Sequence, residues 1–192
     1  RYGLEKIGHP ISLDTNIDWI IGPPLKASLA KILNVASNHV LAEQALEAYR
    51  ERFAVTGLYE NKVFPEVAET LAELKRRGYR LFLATAKPTV YARQILEHFE
   101  LDQYFKGIYG SELNGDRTNK GDLIEYLLQQ EQLDPATCIM VGDREHDIFG
   151  ARHNGIETIA VTYGYGSPEE FAQAEPKFQI QRFNEVFDCL GK

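Results

Sequence analysis

The chain has 192 residues, 44% of them apolar and 26% charged, which excludes wholesale disorder and suggests one large domain or a domain with a smaller insert. It carries 21 Lys and Arg against 28 Asp and Glu, a net charge of −7, which argues against a nucleic-acid polymer or an anionic membrane as its main partner. No apolar run approaches the roughly 18 residues that span a bilayer.

A chain of this length buries roughly 70% of its unfolded surface and needs no disulfide or structural metal to fold. Cys138 and Cys189 sit in no metal-ligand spacing, and reduced thiols in a cytoplasmic protein are expected. In chain order, helical signals come first. Arg1–Gly8 reads as a helix without a cap before it, and Pro23-Pro24 close the segment after Trp19-Ile-Ile21. Leu25–Leu33 has apolar residues at 25, 29, 32 and 33. Val40–Phe53 carries a stripe of Leu41, Ala45, Leu46, Tyr49 and Phe53, and Thr56-Gly57 breaks it. Residues 1–60 are therefore expected to form a small all-helical unit.

From Asn61 onward strands and helices alternate. Helix Pro65–Arg77 stops at Gly78, and Tyr79–Ala84 is an apolar strand ending at Thr85. A helix over Thr89–Phe99, a weak strand near Ile108-Tyr109 and a helix over Lys120–Gln130 follow. Thr137–Val141 is a strand ending at Gly142-Asp143, and helix His146–His153 leads through Gly155 to strand Glu157–Val161. Phe178–Ile180 and Phe183–Leu190 read as a last strand and helix. This pattern describes an α/β fold over residues 61–192, a Rossmann-like parallel sheet with helices on both faces.

Ligands of open parallel sheets bind beyond the carboxyl ends of the strands, so the residues there matter most. Asp143 and Asp147, four apart at a strand-to-helix junction, suit a hard cation such as Mg²⁺; a helix cap at Asp143 explains the same residue equally well. Thr85, followed by the N–H groups of Ala86 and Lys87, can cradle a phosphate oxygen, although an ordinary Thr cap is the blander account. Lys120 at a helix start opposes the helix dipole by about 0.3–1 kcal/mol, and such a broken local rule often marks a functional position.

Read together as hydroxyl, lysine and acidic pair, these elements resemble the second, third and fourth motifs of the haloacid dehalogenase-like phosphohydrolases. Leu81–Pro88 is similar to the family's strand ending in Thr or Ser, Lys120 to its motif lysine, and Gly142-Asp143-Arg-Glu-His-Asp147 to its metal-binding GDxxxD. Residues 1–60 resemble the helical cap inserted after the family's first strand. Ile21–Leu25, Tyr49–Phe53, Thr56–Asn61, Tyr109–Leu113 and Val161–Ser167 resemble the phosphoglycolate phosphatase-like branch, and within it the bacterial 5′-nucleotidase-type members.

One departure is large. The family's first motif, an Asp-x-Asp at the end of the central strand, occurs nowhere here, and Asp14 and Asp18 lie in the cap-like unit. Loss of a central strand would leave two sheet edges unpaired, a cost beyond the usual margin of about 5–15 kcal/mol. The only Met is Met140, and about 20 residues carrying that strand and the beginning of the cap's first helix are expected before Arg1.

The resemblance implies a Mg²⁺-dependent phosphomonoester hydrolase working through a phosphoaspartate on a small phosphorylated metabolite. Asp143 would bind the metal. Asp147 would hold a metal-bound water or orient donors. Thr85 and the Ala86 N–H would bind phosphoryl oxygens, with Lys87 adding charge and Lys120 offsetting it. Ala86 stands where Asn or Ser is more usual, so only its backbone can act there. Substrate choice would come from the cap, with Gly22-Pro23-Pro24 and Arg50 or Arg52 as candidates. A nucleoside monophosphate is the first expected substrate and phosphoglycolate the second. An inactive module that binds a phosphorylated ligand or a protein is the alternative of another class. No Gly-x₄-Gly-Lys-Ser/Thr string is present for a P-loop.

Overall fold

The computed structural model describes residues 1–191, which divide into two units, one over Arg1–Asn61 and the other from Lys62 onward. In the first, helices α1 (Tyr2–Lys6), α2 (Leu25–Leu33) and α3 (Val40–Phe53) enclose a core of Leu4, Leu29, Ala45 and Leu46. A Cβ on Gly3 would lie 2.6 Å from the Ala45 carbonyl oxygen, so only glycine lets α1 approach α3 this closely. Helix α3 starts where His39 Nδ1 accepts from the Leu41 N–H at 3.2 Å, and α2 stops at Asn34 in the left-handed region. Arg52 donates to both carboxylate oxygens of Glu60, at 2.7 and 2.5 Å.

The second unit holds α4 (Val67–Arg76), β1 (Phe82–Pro88), α5 (Thr89–His98), β2 (Gly107–Ser111), α6 (Lys120–Glu131), β3 (Ile139–Gly142), α7 (Glu145–His153), β4 (Glu157–Val161), α8 (Pro168–Ala174), β5 (Phe178–Ile180) and α9 (Val186–Cys189). All strand pairs are parallel, as expected for α/β alternation. The strands form two groups, β1-β2 and β3-β4-β5. Between them lies a cavity of about 490 Å³ walled by Leu81–Ala84, Ile139–Val141 and side chains of α4, α6 and α9.

Side chains alternate across these strands. Leu74, Ile159, Val161, Ile180 and Val186 build one core, with Leu81, Ile139 and Val141 packed against it. Ile124, Leu128, Ala151 and Ile156 build another, with Ala84 and Met140 against it. Cys138 and Cys189 are not joined in a disulfide, and no helix among the described residues is long and apolar enough to cross a membrane.

Several boundaries move. Strand β1 begins at Phe82 and runs to Pro88, past the expected end at Ala84, because β2 pairs along it and the register shifts between Thr85 and Pro88. Helix α9 is confined to Val186–Cys189 because a 3₁₀ turn occupies Phe183–Glu185. Helix α8 has no counterpart in the expected elements. It has its own start signal, Ser167 Oγ accepting from the Glu170 N–H at 3.2 Å with Pro168 in first position.

Candidate active site

The carboxyl ends of β1 and β3 and the N-termini of α6 and α7 meet at one rim of the second unit. Asn119 caps α6 by accepting from the Gly121 and Asp122 N–H groups, which leaves Lys120 as the first helical residue. Its Nζ donates to the Ala84 carbonyl at 2.9 Å and pairs with Asp147 Oδ1 at 2.9 Å. Both side chains are nearly buried, 12% and 11% exposed, so the charge that opposes the helix dipole at Lys120 is held in a largely desolvated ion pair. The other Asp147 oxygen, Oδ2, accepts from the N–H groups of Asp143 at 3.1 Å and Arg144 at 3.2 Å. One lysine thus ties the Ala84-Thr85 strand end to the acidic turn.

Thr85 Oγ1 accepts from the Lys87 N–H at 3.2 Å, and the Ala86 carbonyl accepts from the Ser111 hydroxyl at 2.9 Å. These bonds hold the irregular end of β1 in place, with the Gly110 N–H also bonded to Thr89 Oγ1 at 3.1 Å. Burial pulls the Lys87 amine below its ordinary range.

Asp143 stands apart from the ion pair. Its Oδ2 accepts from the Tyr165 N–H at 2.8 Å. Burial pushes its carboxyl above the ordinary range, opposed by that N–H, while the charge on Asp147 pushes the same way as burial. The nearby Tyr163 hydroxyl is pushed up to about 12, by burial first and by the Asp143 charge second. Phe64 meets the Tyr163 ring edge-on at 5.0 Å between centroids.

Four glycines let these groups sit where they do. A Cβ on Gly142 would lie 2.4 Å from the Asp147 Cβ, and one on Gly164 would lie 2.3 Å from the Asp143 Cβ. On Gly150 it would lie 2.7 Å from Lys120 Cγ, and on Gly166 2.0 Å from the Asp143 carbonyl oxygen. Each lies beneath a charged residue of the rim.

Among the described residues no three His, Cys, Asp or Glu side chains form a complete metal-ligand set. Asp143 nevertheless fits a hard cation: it is a partly buried carboxylate whose charged form is disfavoured by desolvation and which is held by a neutral backbone donor. Asp147 has both oxygens engaged by Lys120 and the α7 start, which suits the orientation of donors.

The raised Asp143 carboxyl has a consequence for stability. The penalty is absent below about pH 3.9, where an unfolded Asp is already protonated, and it is complete once pH exceeds the folded value. Asp143→Asn removes the charge and keeps an acceptor for the Tyr165 N–H. It is expected to melt above the wild type at neutral pH without divalent cations, and the gap should close on acidification. Thermal melts across this range check the sign.

The sequence singles out Thr85, Lys120, Asp143 and Asp147 as candidates and assigns no role to Arg144, Glu170 or the Tyr165 N–H. The Glu170 carboxylate binds Arg144 through both oxygens across 26 residues, a distance no local pattern reveals.

Comparison with known proteins adds an independent line. Residues 1–161 match the family model described as haloacid dehalogenase-like hydrolase. A 5′-nucleotidase of Pseudomonas aeruginosa is 44% identical over 176 residues, covering 92% of this chain and 79% of that protein. A phosphoglycolate phosphatase of Vibrio vulnificus is 30% identical over 173 residues, covering 90% and 75%. A crystal structure described as a predicted phosphatase from Clostridium acetobutylicum superposes with a TM-score of 0.93 at 37% identity, covering 98% of this chain and 87% of that one.

Proposed function

Because the chain belongs to the haloacid dehalogenase-like hydrolases, we propose that it is a Mg²⁺-dependent phosphatase of small metabolites that works through a phosphoaspartate and prefers nucleoside 5′-monophosphates. The observation that carries the reading is Lys120 Nζ, 2.9 Å from both the Ala84 carbonyl and the Asp147 carboxylate, which places a cation between the strand end and the acidic turn.

In this reading an Asp on a strand between β1 and β3 attacks phosphorus and the alcohol departs. Water then cleaves the phosphoaspartate, releasing inorganic phosphate and the free carboxylate. Lys120 offsets charge on the nucleophile and on the phosphoryl oxygens. The Thr85 hydroxyl and the Ala86 N–H bind those oxygens, and Lys87 adds positive charge beside them. Asp143 holds the metal, and Asp147 orients Lys120 and the turn behind it. Mg²⁺, when bound, supplies Lewis-acid polarisation and charge neutralisation at the phosphoryl group. The helical unit selects the substrate as a cap.

Each such preorganised contact is worth about 3–4 kcal/mol, or 10²–10³ in rate. Asp143→Asn, expected above to gain stability, is expected to lose at least about 10²-fold in turnover. Hydrolysis rates for nucleoside monophosphates, phosphoglycolate and sugar phosphates test the substrate class. Preference for a nucleoside monophosphate is the expected result. Preference for phosphoglycolate would favour the second reading, which the Vibrio relative supports.

A further inference from the structure

Arg144 lies between the two rim carboxylates in sequence, yet its guanidinium faces away from solvent, its side chain 8% exposed. Nε donates to Glu170 Oε2 at 3.0 Å and Nη2 to Oε1 at 2.9 Å, a fork-to-fork pair with planar complementarity that Lys cannot reproduce. Glu170 Oε2 also accepts from the Glu145 N–H at 3.4 Å, in the first turn of α7, so the first turns of α7 and α8 are joined.

The segment between β4 and α8 is tied at both ends. The Thr162 N–H donates to the Ile180 carbonyl at 2.9 Å, and Ser167 caps α8 next to Glu170. Within the segment, the Tyr165 N–H donates to Asp143 Oδ2, and Gly164 and Gly166 pack on the Asp143 Cβ and carbonyl too closely for any side chain. The position of that donor therefore depends on where α8 begins, and Arg144 sets that start from the residue next to Asp143.

We propose that the Arg144–Glu170 pair is a positioning device for Asp143: it fixes the Thr162–Ser167 segment so that the Tyr165 N–H orients the carboxylate for a divalent cation. The metal-binding part rests on the reading of Asp143 given above; the link from the pair to Tyr165 does not. Arg144 acts through its neighbours and makes no contact with substrate. Outer partners of metal ligands commonly control affinity by about 10–100-fold, because they set the orientation of the ligating oxygen.

The test uses Glu170→Gln, Arg144→Gln and the double variant in the intact protein, with Mn²⁺ affinity by titration and Tyr165 amide exchange by NMR. Arg152→Ala is the control, since it removes the bonds from Arg152 to the Ala174 and Glu175 carbonyls at the other end of α8. Glu170→Gln is expected to weaken Mn²⁺ binding by about tenfold or more and to accelerate Tyr165 exchange. The double variant should be no worse than the weaker single one, and Arg152→Ala should change neither readout. Unchanged Tyr165 exchange in Glu170→Gln overturns the proposal. Accelerated exchange in a protein that binds no Mn²⁺ supports the positioning link and removes the metal reading of Asp143 instead. Should Glu170→Gln fail to fold, Ser167→Ala loosens the same helix start and is judged by the same two measurements.

Discussion

In a protein that also carries the proposed nucleophile strand, replacing Lys120 with Met is expected to lower phosphatase turnover by at least about 10²–10³-fold, with a smaller change in KM. Two effects must be separated. In the proposed mechanism Lys120 supplies charge beside the phosphoryl group, and in the structure it pairs with Asp147, which is only 11% exposed on its side chain. Removing one partner of a buried pair leaves an uncompensated charge and costs about 3–5 kcal/mol of stability. Lys120→Met alone is therefore expected to melt early as well as turn over slowly. In the double variant Lys120→Met/Asp147→Asn no charge is stranded, and the amide introduced in place of the Asp147 carboxylate keeps an acceptor for the Asp143 and Arg144 N–H groups. The double variant should recover much of the stability and none of the activity. Thermal melts and initial rates on the three proteins decide the matter, and wild-type turnover in either variant would remove Lys120 from the mechanism.

What the sequence revealed and what it hid follow from how local each feature is. Asp143 and Asp147 are legible because a strand-to-helix junction with carboxylates four apart constrains both within one turn. Lys120 is legible as a misfit with its own helix dipole. Thr85 is legible as the end of an apolar run, but the course of the chain beyond it is not. Strand β1 continues to Pro88 because Gly110, Ser111 and Thr89 hold it through contacts 21–25 residues apart. Helix α8 has a readable start in Ser167-Pro168-Glu169-Glu170, but its apolar face is too short to show a period, with Phe171 and Ala174 as its buried residues. Gly142 reads as part of the acidic motif and Gly150 as a helix residue, while only the fold shows which side chain of the rim Gly142, Gly150, Gly164 and Gly166 each make room for.

The largest expected effect concerns the cavity between β1 and β3. Strands β1 and β3 each end a group of parallel strands, and apolar residues of α4, α6 and α9 line the cavity with them. An apolar segment of about five residues, parallel to both edges, would join the two groups into one sheet in the order β2-β1-new-β3-β4-β5 and pair backbone groups that otherwise lie along unpaired edges. Its carboxyl end would emerge between Ala84-Thr85 and Gly142-Asp143, beside Lys120. An Asp there occupies the position the proposed nucleophile needs. The residues 1–192 alone are thus expected to show no phosphomonoesterase turnover. The same residues joined to, or mixed with, such a strand ending in Asp-x-Asp should be active, and changing its first Asp to Asn should cost about 10⁴-fold or more. Rate assays, with amide protection along β1 and β3 as the structural readout, separate the possibilities. Full turnover by residues 1–192 alone would place the nucleophile elsewhere, and unaltered protection at both edges after the strand is added would mean that the cavity does not seat it.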